Sequence, residues 1–254
     1  MKNSQLFSFL SLLTISFTFT LFMSDYGLKA LEVNNSYYKQ HKIDHSQHQK
    51  ILDKDLDFMT NLGLIKGHLM LGKELLVLGE YEQAEPHFGH PVDEIYGNLE
   101  PELEARNILS FKTELTILHD LVKFSPQDNK VMSQYDQAMV KIDEAISNLS
   151  VEKRNNSEFI SQVIKNLLAT VKEEYSAAII GNKVVENVEY QDSRGFVLYS
   201  LILYENMDNN SPLKAKMQPI LFQIKDAFPQ AIPPETIIFS SEKMEQLVNN
   251  FPVN

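Results

Sequence analysis

The chain contains no cysteine and no tryptophan, and only nine glycines and ten prolines among its 254 residues. Without cysteine there is no disulfide framework, no thiolate zinc site, no cysteine-held iron–sulfur cluster, no c-type haem attachment and no cysteine nucleophile. Sparse glycine and proline exclude collagen-like and low-complexity classes. Positive charge is also short. Lys+Arg number 23 against 34 Asp+Glu, a net charge of −11. An acidic chain repels phosphate backbones at long range, and no basic stripe offsets this, so nucleic acid is not an expected partner. The same surface suits solubility, cationic partners and metal ions. Hydrophobic residues make up 43% and charged residues 22%, enough apolar material for a packed core.

The N-terminus reads as an address. One side-chain charge, Lys2, precedes Leu6–Met23, an unbroken run of apolar and hydroxyl residues, and the next charge is Asp25. This is the pattern of a secretory signal, with Leu28-Lys29-Ala30 as one cleavage site and Ser24 as another. The run is also about the ~20 residues that span a bilayer, so an uncleaved N-terminal anchor is the other reading of residues 1–30. Residues 31–46 are polar and read as a linker, and 47–254 as a helical domain, with a second boundary on offer near 150–156.

From about residue 47 the apolar spacing is helical: Ile51, Leu52, Leu56, Met59, Leu62, Ile65, Leu69, Leu76 and Val77 carry the stripe, and Gly79 ends it. A second helix is expected from Tyr81, another from Pro91, and another over 101–122 opening at Pro101. Ser125-Pro126 reads as the start of helix 126–149. Helices over 157–180 (closed by Gly181), 184–205, 212–228 and 235–250 complete the set. Ile237-Ile238-Phe239 is the one β-like run. The expected fold is all-α, a bundle of eight or nine helices.

Within residues 64–90, Leu71-Gly72, Gly79, Tyr81, Ala84 and Phe88 fall where a tetratricopeptide-type hairpin places them. Gly72 would let two helices approach, and Ala84 and Phe88 would pack the second on the first. No second copy follows at a period near 34 residues, so no solenoid is expected.

Six of the seven histidines lie between 41 and 90. His68 sits on the first hairpin helix. His87-x-x-His90-x-x-x-Glu94 would face one side of a continuous helix, although Pro91 is expected to interrupt it. His68, His87, His90 and Glu94 make a plausible donor set for Zn, Cu, Ni or Fe, with Glu85 and Asp93 placed to orient the ligands. The other reading makes these histidines structural, bonding at helix ends and interfaces. His41-x-x-x-His45-x-x-His48 is a second group, in the linker, where a loose metal-capturing tract and a solvated lead-in are the two readings. Glu186, Glu189, Asp192 and Arg194 read as solvent-exposed charges that can form an ion network on a helix, or else as a buried Arg194–carboxylate pair, and Gly195 suggests a close helix contact. Neither Glu173-Glu174 nor residues 186–196 carry histidine, which counts against the carboxylate–histidine di-iron pattern of bundle cores. No HExxH, GxSxG, Walker, GxGxxG or EF-hand pattern occurs, and no nucleophile–base pair stands out.

Gly67-His68-Leu69, His87-Phe88-Gly89-His90-Pro91 with Glu94-Ile95-Tyr96, and Glu189-Tyr190-Gln191-Asp192-Ser193-Arg194-Gly195-Phe196 resemble an uncharacterised family of exported bacterial helical proteins. The likeness spans about 60–250 and implies no activity. More distantly the chain is similar to imelysin-like periplasmic bundles, a resemblance that implies iron uptake. Their Gly-x-His-x-x-Glu motif is incomplete here, with Leu71 standing where the Glu belongs.

The sequence thus points to an exported, periplasmic or extracytoplasmic helical protein, non-catalytic in type, holding one transition metal ion for capture or handling. The alternative is a helical module that binds an envelope protein partner and uses its histidines structurally. Membrane contact is expected only through an uncleaved N-terminal segment.

Overall fold

Asp53 accepts from the backbone N–H groups of Asp55 and Leu56 at 2.9 and 3.3 Å, and this cap opens the first helix, α1 (Lys54–Leu78). The computed structural model describes residues 53–253, all within one compact unit, His45–Asn254. The signal or anchor at 1–30, the linker at 31–46 and the His41, His45 and His48 group lie outside the described residues. Gly79, at φ 81°, closes α1: its N–H and that of Glu80 return to the Leu76 and Leu75 carbonyls.

The remaining elements are α2 (Tyr81–His90), a π turn (Pro91–Ile95), α3 (Tyr96–Ala105), α4 (Lys112–Phe124), α5 (Lys130–Ser147), α6 (Val151–Asn155), α7 (Ser157–Ala178), a two-residue hairpin β1 (Ile179–Ile180) and β2 (Lys183–Val184), α8 (Asn187–Glu205), α9 (Pro212–Asp226) and α10 (Ser241–Asn249). The fold is an all-α helical bundle. Helix α1 has no single apolar stripe and is buried on every side over Phe58–Leu69, Thr60, Asn61, Lys66 and His68 included, because α2, α7 and α8 pack around it. Helices α4 and α5 carry single stripes instead, Leu115, Leu118 and Val122 facing Tyr135, Ala138 and Ile142.

Several expected boundaries move. Pro91 does not start a separate helix. It has no N–H to bond back, and the chain absorbs this by widening one turn, with Tyr96 N–H bonding the Pro91 carbonyl five residues back. Pro101 lies inside α3, and the break comes at Asn107, which adopts the left-handed φ of 56° that asparagine tolerates. Ser125-Pro126 makes a turn, and α5 begins at Lys130, whose N–H is taken by the Asp128 carboxylate at 2.8 Å. Gly181 is the hairpin turn at φ 64° and caps no helix, so α8 begins at Asn187. The last helix waits for Ser240, which accepts from Lys243 N–H. Ile237–Phe239 forms no strand; Ile237 N–H bonds the Asn182 carbonyl instead.

Candidate metal centre

The site begins with two glycines. A Cβ on Gly67 of α1 would stand 2.6 Å from Phe196 Cδ1, and a Cβ on Gly195 of α8 would collide with the Gly67 carbonyl oxygen. The helices therefore cross backbone against backbone, and only glycine at both positions allows it. The crossing carries His68, beside Gly67, to Asp192, one turn before Gly195. Helix α2 folds back along α1, with Phe88 lying where a Cβ on Gly72 would be (2.6 Å), and this delivers His87 and His90 to the same point.

Asp192 is the hub. Its Oδ1 meets His68 Nδ1 at 2.7 Å and His87 Nδ1 at 2.6 Å, and its Oδ2 meets His90 Nδ1 at 3.1 Å. The His68 and His87 rings are fully buried and Asp192 is 1% exposed, whereas 20% of the His90 side chain reaches solvent. His68, edge-on to His90 at 5.3 Å, also packs edge-on against Phe196 at 4.9 Å. The other nitrogen of His87, Nε2, faces Gln191 Oε1 at 3.1 Å. Gln191 is held in that orientation because its amide N donates to Gln83 Oε1 at 2.9 Å and to the Ala231 carbonyl at 3.3 Å.

Charge is concentrated here. Burial by itself would raise the Asp192 carboxyl; His68, His87 and His90 outweigh it and hold the group well below its usual range. Burial lowers His68 against the pull of Asp192. For His90 burial is overcome by Asp192, with help from Glu94 and Glu189, and its pKa rises to about 9. Burial, then repulsion from Asp192, lifts Glu189 to about 7. Glu174 of α7, 1% exposed, is pushed well above the carboxylate range by burial and then by Asp192, Glu189 and Glu94. Seven ionisable side chains from α1, α2, the π turn, α7 and α8 therefore feel one another.

His68, His87 and His90, three residues singled out in the sequence, come together. Glu94 is half-buried on the π turn, where its charge bears on His90. Glu85 does not turn toward the cluster. It accepts from His119 Nε2 at 2.6 Å and meets Lys123 at 3.3 Å, both on α4. Asp93 is exposed, pointing away because the π turn puts Glu94 on the inner face. Arg194 lies two residues past Asp192, on another face of α8, and is no part of its network. Its guanidinium forks onto Glu74 of α1 at 2.8 and 3.1 Å and also donates to the Phe228 carbonyl. Asp192, Gln191 and Glu174 were the residues sequence reasoning did not place at the site. The available signal was Asp192 one turn before Gly195, a glycine already marking a close helix contact.

The donor set fits a transition metal. One ring nitrogen each of His68 and His87 and an Asp192 oxygen lie within 4.8 Å of one another. Bonds of about 2.1 Å place tetrahedral donors about 3.4 Å apart, so His68 Nδ1 and His87 Nδ1, at 2.7 and 2.6 Å from Asp192 Oδ1, would each have to draw away from that oxygen by less than about 1 Å. Residues 150–253 match the family model of the iron permease-associated four-helix bundle domain. No curated protein and no solved structure matches the chain. The segment matching the iron permease-associated domain contains α6 to α10, and it supplies Glu174, Glu189, Gln191 and Asp192, while residues before it supply the histidines. The comparisons give no support for the imelysin-like resemblance.

Proposed function

We propose that this is a non-catalytic metal-handling protein of the iron-uptake type, acting outside the cytoplasm. It would bind a transition metal, iron first among Zn, Cu, Ni and Fe, through His68, His87 and Asp192, with His90 and Glu94 at the solvent side. One observation carries the reading. Both nitrogens of the buried His87 face oxygen: Nδ1 faces Asp192, and Nε2 faces a Gln191 carbonyl oxygen that cannot turn away. A metal on Nδ1 and a proton on Nε2 satisfy that arrangement, and metal-bound histidines are ordinarily oriented by such a partner on the far nitrogen. The match of residues 150–253 to an iron permease-associated domain supports iron as the cargo. The apolar run at Leu6–Met23 supports export. Among the described residues no helix is long and apolar enough to cross a membrane.

The second reading is a helical module for an envelope protein partner, with Asp192 simply accepting three histidine N–H bonds. The present N···O distances of 2.6–3.1 Å favour it. Elemental mass spectrometry on the full chain, purified without a His tag or chelators, separates the two. The metal reading expects a stoichiometric single metal, lost in His87→Ala and Asp192→Asn while helical circular dichroism is kept. No metal in the wild type, even after reconstitution with Zn, Cu, Ni and Fe, would make the histidines structural.

A further inference from the structure

We infer that Glu80 and Gln83 are positioning residues: through a chain of hydrogen bonds they hold the hydrogen of the buried His87 ring on Nε2 and so reserve Nδ1 for a metal, the last step resting on the metal reading above. The chain runs inward from the surface. Gln83 Nε2 donates to Glu80 Oε2 at 2.7 Å. Gln83 Oε1 accepts from Gln191 Nε2 at 2.9 Å. Gln191 Oε1 faces His87 Nε2 at 3.1 Å.

The direction of each bond follows from the group before it. An ionised carboxylate only accepts, so Glu80 makes Gln83 present its NH2 and turns the Gln83 carbonyl oxygen toward Gln191. The Ala231 backbone carbonyl also only accepts, and it lies 3.3 Å from Gln191 Nε2. Two acceptors thus claim the NH2 of Gln191, and its oxygen is left to face His87. Reversing the Gln83 amide would set NH2 against NH2 at Gln191 and oxygen against the Glu80 carboxylate. The Gln191 oxygen in turn needs a hydrogen on the atom it faces, His87 Nε2. With the hydrogen there, the neutral ring carries its lone pair on Nδ1, the nitrogen 2.6 Å from Asp192 Oδ1.

Local spacing builds the outer part of this chain. Glu80, Gln83 and His87 follow one another by three and four residues, along one face of the start of α2. Glu80 is the N-cap residue of α2, where a side-chain oxygen ordinarily takes a backbone N–H. It makes no such bond and accepts from the Gln83 amide instead. An anchor matters at this position. Gln83 is half-buried and also walls an open cavity of about 460 Å³, with Lys183, Asn187, Pro233 and Thr236. Water can bond either end of an amide, so at the edge of that cavity the Glu80 carboxylate decides which end turns inward.

The test is long-range proton–nitrogen NMR on the full chain carrying isotope-labelled histidine, which reports the ring nitrogen that holds the hydrogen. Zinc(II) affinity by chelator competition accompanies it, and His87→Ala assigns the His87 signals. Glu80→Lys replaces the acceptor by a donor. Glu80→Gln keeps an accepting oxygen. Glu82→Lys, at an exposed position two residues on, makes the same charge change outside the chain. The wild type is expected to hold the hydrogen on Nε2 with and without zinc. Glu80→Lys is expected to mix the two tautomers in the zinc-free protein and to weaken zinc binding about 10-fold, the lower end of what outer partners of a ligating histidine cost, with helical circular dichroism unchanged. Glu80→Gln and Glu82→Lys are expected to match the wild type. Wild-type His87 without a hydrogen on Nε2, or bonded to zinc through it, overturns the inference with no variant needed. A Glu80→Lys protein with wild-type spectrum and affinity overturns the role of Glu80 and leaves the metal reading standing. An equal loss in Glu82→Lys assigns the effect to charge and overturns the chain. No zinc on the wild type overturns the metal reading, and with it Nδ1 as a donor.

Discussion

His68 and Asp192 are 124 residues apart in the chain and 2.7 Å apart in space. Their meeting depends on a contact one residue from the first and three from the second, where Gly67 and Gly195 let α1 and α8 touch through their backbones. Neither glycine takes part in that bond, yet both set the distance between His68 and Asp192.

Gly195→Ala should therefore act on stability and on the site together. The new methyl meets the Gly67 carbonyl, a backbone atom that cannot rotate away. Overpacking of this kind costs about 1–3 kcal/mol. The expected result is a lower melting temperature together with weaker metal retention. An unchanged melt and unchanged metal content would show that the helices cross elsewhere.

Gln191→Met tests the orienting bond on His87. The side chain keeps its length and loses the carbonyl oxygen that faces Nε2. Removing such a partner typically costs 10–100-fold in metal affinity. Competition titration against a chelator reads the change; equal affinities in variant and wild type would detach Gln191 from the site.

Arg194→Lys should separate stability from metal binding. Arg194 forks onto Glu74 and donates to the Phe228 carbonyl, tying α8 to α1 and to the end of α9. A lysine ammonium cannot reproduce the two parallel bonds. A loss of about 1–2 kcal/mol is expected in urea unfolding, partly damped because Glu74 is 32% exposed. Metal content should hold. A loss of metal would return Arg194 to the network of Asp192.

Asp55 carries an acid-range prediction. Its carboxylate meets Lys153 of α6 at 2.6 Å and Arg106, just past α3, at 2.7 Å. The hydrogen bond from Lys153 leads, burial opposes it, and Arg106 adds to it, so the carboxyl lies below its ordinary value of 3.8. A depressed acid contributes stability above its unfolded pKa and loses it as pH falls through the folded one. The wild type should accordingly exceed Asp55→Asn in stability near pH 6, and the gap should close on acidification below about pH 4. A gap that is constant with pH in urea melts would remove the ion pairs as its cause.

The histidine cluster was half legible. His68, His87 and His90 share a hairpin, so short-range helical spacing and Gly79 were enough to suggest that they meet. Glu94 needed one more fact. Pro91 was expected to break the helix, and a single widened turn kept Glu94 on the inner face instead. Glu85 was misplaced for a related reason: spacing put it near His87, but the neighbour that claims it, His119, comes from α4.

The sequence by itself determined that the chain is helical, that Gly79 closes α1, and that three histidines lie on adjoining helices. These are local matters, settled by side-chain periodicity, capping and the absence of Cβ at a left-handed turn. Only the tertiary structure decided that Asp192 is the hub, that Gln191 holds His87, and that Glu174 and Glu189 add their charge. Periodicity tells which residues share a face of one helix. Which faces meet depends on close packing between segments more than a hundred residues apart, here on two glycine backbones in contact.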